Sequence, residues 1–170
     1  MNNWKASRAL TAITAFATLF AGTASWAAAT DCSGTKRSKA SPYTEVIRPG
    51  DRPDHEMIQA IRIHEISSKD ADFDASEQTV YAHQDAYGGS GTSVGYFLYT
   101  LKSGEKIWAR FDSIYSTKPA RGSWETTYHG VFQFVGGTGK YVNVRGGGHY
   151  QGTVTPASGF DETFVCSVEF

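Results

Sequence analysis

Residues 124–155 read WETTYHGVFQFVGGTGKYVNVRGGGHYQGTVT, and the architecture of the chain follows from how they alternate. Trp124, Tyr128, Phe132 and Phe134 share one parity, and Glu125, Thr127 and His129 share the other. A period of two is the mark of a half-buried strand. Gly136, Gly137, Thr138 and Gly139 then interrupt it as a tight turn, since glycine supplies the positive φ such turns need. A second strand is expected over 141–155, and Gly146, Gly147, Gly148 and Gly152 fall inside it. Glycines within a strand mark bulges or sharp bends, and a sheet that closes on itself needs such bends. The stretch therefore favours a barrel over a sandwich.

The same pattern recurs outward in both directions. Strands are expected at about 55–66, 77–84, 93–101, 105–115, 124–135, 141–155 and 163–170, all rich in Val, Ile, Thr, Tyr, Phe and Trp. Turn clusters separate them, among them Gly88-Gly89-Ser90-Gly91, Ser103-Gly104 and Pro156-Ala157-Ser158-Gly159. No helical stripe runs for ten residues and no fixed-period repeat occurs. Residues 30–54 are polar and broken by Pro42, Pro49, Gly50 and Pro53, and read as an irregular lead-in to a barrel domain over 55–170.

The N-terminus reads as a secretory signal peptide over 1–29. Lys5 and Arg8 precede an apolar run from Ala9 to Ala24, and small residues follow up to Ala29. The run falls short of the roughly 20 residues that span a bilayer. Asp31 before Cys32 does not fit the small-residue box of a lipidated cysteine. The expected location is secreted, periplasmic or extracellular, with no membrane attachment in the mature form. Without the leader, 14 basic residues face 17 acidic ones, so no basic excess exists to neutralise phosphates and nucleic acid is not an expected partner. Cys32 and Cys166, the two cysteines, read as one disulfide joining the ends of the domain.

The segment Phe134-Val135-Gly136-Gly137-Thr138-Gly139-Lys140-Tyr141-Val142-Asn143-Val144-Arg145-Gly146 resembles the glycine-rich signature of plant dirigent proteins, and more loosely that of allene oxide cyclases. The resemblance covers about 13 residues. It implies an all-β fold, a small antiparallel closed barrel of about eight strands, assembled as a homotrimer. It also implies a lumen that takes a small hydrophobic molecule and works by shape, without metal, nucleotide or other cofactor. By position in the motif it implies a functional role for Arg145.

Alternation groups the candidate side chains but does not say which face is inside. Tyr141, Asn143, Arg145, His149 and Gln151 fall together, opposite Val142, Val144, Tyr150 and Val154. If the polar set lines the lumen, Arg145 is an anion anchor and His149 an acid or base. If the valines face the core, the polar set lies in water. Trp108, Arg110 and Asp112 share a face opposite Ile107, Ala109, Phe111 and Tyr115, and bind a polar ligand group or form a surface ion pair. Glu125 and His129 form a proton-handling row with Thr127, or an ordinary outer face. Asp70, Asp72 and Asp74 have the opening rhythm of a calcium loop, but Ala75 stands where its glycine belongs and Tyr81 where its final carboxylate belongs. A solvated turn is expected there, and no metal.

The function expected from these readings is a secreted barrel that holds a small hydrophobic molecule and steers its cyclisation, coupling or isomerisation. A non-catalytic ligand-binding barrel and a barrel filled by its own side chains are the alternatives.

Overall fold

The computed structural model describes residues 28–120, 122–157 and 159–170. Nine strands form one sheet: β1 (Thr30–Asp31), β2 (Gly34–Ile47), β3 (His55–Ser68), β4 (Glu77–Tyr87), β5 (Ser90–Thr100), β6 (Lys106–Ala120), β7 (Ser123–Gly137), β8 (Arg145–Thr155) and β9 (Gly159–Glu169). Each strand from β2 to β9 pairs antiparallel with the next, and β9 returns to pair with β2 through Gly34–Phe164 to Arg37–Asp161. The result is a closed up-and-down barrel of eight strands, with β1 pairing β9 on the same edge as β2 and in the same register, beyond the end of β2. Closure removes the unpaired edges that an open sheet of this length would expose.

All seven expected strands are present. The expected lead-in over 30–54 is corrected: most of it is β2, one of the eight staves. Its polar composition hid it because Ser38 to Ile47 runs on past the end of the β9 pairing as an exposed arm whose strand partner is β3, with Lys39 reaching Glu77 of β4. Two register shifts fall between Ser38 and Tyr43, and Pro42 sits within them, where a missing N–H does least harm. The expected leader, apart from Ala28 and Ala29, lies outside the described residues.

A second correction concerns the strand expected from Tyr141. After the glycine turn the chain makes a short 3-10 turn over Gly139–Tyr141, and β8 starts only at Arg145. Gly146 carries the bend into β8 at φ 102°, a conformation open to glycine. The detour tucks Tyr141 under one end of the barrel, where its ring meets Phe170 and its hydroxyl donates to Asp72 Oδ2 at 2.7 Å. Lys140 Nζ reaches the same oxygen at 2.5 Å.

That end is plugged. Cys32, Phe73, Tyr99, Leu101, Ile107, Phe134, Tyr141, Val144 and Val168 are buried together there. The Cys32–Cys166 disulfide ties β9 to the segment just before β2, with Cα atoms 5.1 Å apart. The aspartates after β3 serve the loop itself. Asp70 Oδ1 accepts from the backbone N–H groups of Asp72 and Phe73, and Asp74 Oδ1 from that of Ser68.

Candidate functional site

The inner face is the aromatic parity. Phe97, Phe111, Phe132 and Tyr150 are buried and pack on one another, Phe97 stacked on Phe111 with ring centroids 4.3 Å apart and edge-to-face with Tyr150 at 5.6 Å. Of the two alternatives for the polar parity, lumen lining or solvent face, the structure has the outer one. Arg145, His149, Gln151, Asn143, Glu125 and His129 are all exposed. Arg110 and Asp112 are 64% and 54% exposed and form a long surface ion pair at 3.9 Å. Trp108 is half-buried on the same outward parity, and Tyr141 belongs to the plug. None of these residues reaches the lumen. His129 and Gln151 pair across β7 and β8 beside Asp161 in a shallow outer depression.

The barrel is nevertheless not filled. Its end opposite the plug opens into a cavity of about 340 Å³, within the range of small-molecule sites. Its walls are Phe97, Phe111, Tyr128, Tyr150, Phe160, Val80, Ala82 and Val154, with Trp124 at the mouth. Two glycines make room for the tyrosines. A Cβ on Gly152 would lie 2.1 Å from the Tyr128 hydroxyl, and one on Gly130 would lie 2.6 Å from the Tyr150 ring. Each large ring thus lies over a residue with no side chain.

Polar groups set into this apolar wall form the floor. Lys36 and Glu162 pair at 2.6 Å, with side chains 0% and 4% exposed. Lys36 Nζ also stands over the rings of Phe97, Phe164 and Tyr150 at 4.5, 5.2 and 5.3 Å, so the aromatic faces share in holding the cation. Burial pushes the Lys36 ammonium below its ordinary range, and Glu162 opposes that shift. Glu162 lines the cavity, and Lys36 lies behind it.

His64 and Gln78 complete the floor, 4% and 0% exposed. Burial, reinforced by the positive charge of Lys36, pushes the His64 imidazole down to about 3. The ring is therefore neutral at pH 7, with one donor and one acceptor nitrogen, and it packs on Phe160 at 4.2 Å between centroids. Burial pushes the hydroxyls of Tyr115, Tyr128 and Tyr150 up, so all three remain protonated donors. Gln78 faces His64 and Tyr99, and Tyr128 faces Glu162, yet among the described residues the His64 ring nitrogens, the Gln78 amide and the Tyr115 and Tyr128 hydroxyls make no well-formed side-chain hydrogen bond. Buried polar groups without a well-formed bond cost about 1–3 kcal/mol each, so water or a polar ligand group in the cavity would stabilise them.

Arg62 is half-buried on the cavity wall. Among the described residues, its only side-chain hydrogen bond is a long one from Nη2 to Gln84 Oε1 at 3.5 Å.

Part of this site carried a signal in the sequence. Phe160, Glu162, Phe164, Cys166 and Val168 share a parity, and a carboxylate in an otherwise apolar row is a buried charge in waiting. Arg62 and His64 carried less, because Ile61 and Ile63 make the opposite parity of β3 equally apolar. Among known proteins, no family model and no curated protein matches this chain.

Proposed function

We propose that this protein is a secreted barrel that holds a small, largely hydrophobic molecule in its lumen. The observation that carries the reading is the 340 Å³ cavity whose walls are aromatic and whose floor presents the buried polar side chains of His64, Gln78 and Glu162. Apolar walls with a few convergent polar groups are what small-molecule sites use. Secretion is supported by the disulfide, which persists in oxidising compartments, and by the leader pattern of residues 1–29. The dirigent-like motif supports the same reading and adds the homotrimer as a corollary, which light scattering tests.

For chemistry, the reading is steering by shape: a bound molecule held in one conformation cyclises, couples or isomerises along one path. A specific observation favours the non-catalytic alternative. The lumen's one imidazole is a very weak base, its tyrosines are weak acids, and its carboxylate is occupied by Lys36. The His64 imidazole and the tyrosine hydroxyls are thus not matched to proton transfer near neutral pH. Mass spectrometry of the small molecule that co-purifies with protein secreted by its native host tests the reading. An apolar molecule at about one per barrel is expected. Repeated purification with nothing bound, and no thermal shift with apolar ligands, would sink it. Incubating the identified molecule with the protein then separates turnover from storage.

A further inference from the structure

We infer that the lumen selects a small apolar monoanion, an aryl- or alkyl-carboxylate, whose charge is received by Arg62. The inference rests on the lumen reading above and names the chemistry of its ligand. The argument is one of charge. Among the described residues, the charged side chains that line the cavity or lie directly behind it are Arg62, Glu162 and Lys36, while Glu56, farther out on the parity of Arg62, pairs with Arg48. Lys36 and Glu162 touch, so the pair sums to zero wherever its proton sits. Neutral His64 adds nothing. Arg62 remains, and a guanidinium keeps its charge at any physiological pH. Among the described residues, no carboxylate lies within 4 Å of it in an ion pair, and it has only the weak contact to Gln84.

The surroundings fit an anion and disfavour a cation. The groups that face the cavity near Arg62 are the Tyr115 and Tyr128 hydroxyls, which donate, Tyr128 also lying close to Glu162. His64 and the Gln78 amide each offer a donor as well. A carboxylate oxygen accepts from all of these and pairs with guanidinium in fork geometry. The apolar body of such a molecule fits against Phe97, Phe111 and Phe160. An amine would meet Arg62 as a like charge in a low-dielectric site, which is strongly unfavourable.

Isothermal titration of the folded, disulfide-bonded protein with three compounds of one skeleton tests this: phenylbutyrate, phenylbutyramide and phenylbutylamine. The carboxylate is expected to bind about tenfold or more tighter than the amide, as a charge-assisted contact implies, with the amine weakest. In Arg62→Gln, and independently in Arg62→Met, the preference of acid over amide is expected to fall to near one while amide affinity holds. If amide or amine binds as tightly as the acid in the unaltered protein, the anion inference fails and the lumen reading survives. If none of the three binds, both fail. A preference that survives both substitutions would move the anchor away from Arg62 and overturn the assignment.

Discussion

Lys36 Nζ lies 2.6 Å from Glu162 Oε1 across the seam where β2 meets β9. The register places these two residues directly opposite each other, on the strand pair that closes the barrel. Removing either partner leaves an unpaired charge in a nearly dry site. Lys36→Met and Glu162→Gln are each expected to cost about 3–5 kcal/mol, and the double variant much less than their sum. Denaturant unfolding of the four proteins measures the coupling. Additive losses would mean that the pair does not act as a unit.

Acid is expected to weaken the fold through His64. Its folded value near 3 lies below the ordinary 6.5, so the unfolded chain takes up a proton that the native barrel refuses. The stability from this group is complete above about pH 6.5 and falls toward pH 3 by about 1.4 kcal/mol per unit. His64→Gln should flatten that slope, read from melting curves across the range.

His55 should act with the opposite sign. Asp51, hydrogen-bonded to its Nδ1 at 2.5 Å, and Asp85, at 3.1 Å from Nε2, raise its value above the ordinary one. Its contribution is complete below about pH 6.5 and is lost as pH rises through the raised folded value. In His55→Asn the decline in melting temperature above neutrality should disappear.

Reduction of the disulfide should destabilise the barrel without opening a new cavity at its mouth. Cys32 and Cys166 are separated by 134 residues, and closing so long a loop stabilises by up to about 4–5 kcal/mol. A Cys32→Ala, Cys166→Ala variant that unfolds at the same denaturant concentration as the parent would contradict this.

The glycines over the lumen tyrosines offer a test of the cavity itself. Gly152→Ala places a methyl group against the Tyr128 hydroxyl. Overpacking of this kind costs about 1–3 kcal/mol, and the displaced tyrosine should narrow the cavity and weaken any ligand. By contrast, Arg145→Ala and His149→Ala alter exposed outer-face residues. They should leave stability within about 0.5 kcal/mol and ligand affinity unchanged. Titration of all three variants with one ligand checks the contrast.

Strand periodicity, turn positions and the pairing of two cysteines were legible in the residues. Each is local: alternation over ten residues makes a strand, glycine makes a turn, and two cysteines admit one bond. β2 was not legible, because Pro42 and a run of polar side chains are tolerated only on an arm that hangs past the barrel seam. Tyr141 was misread because the detour through Gly139–Tyr141 is set by what the plug needs, Asp72 included.

The inward direction of each strand came from closure alone. Alternation is symmetric under exchange of faces, so Arg145 and Tyr150 were equally eligible for the lumen until the chain was folded. The barrel chose the aromatic parity because burying rings releases far more apolar surface than burying guanidinium or imidazole. The site depends on contacts between residues distant in the chain: Lys36 with Glu162, Gln78 beside His64, Tyr128 over Gly152. In sequence Lys36 is one lysine among surface lysines. Only the pairing of β2 with β9 makes it a buried cation and leaves Arg62 as the charge without a partner.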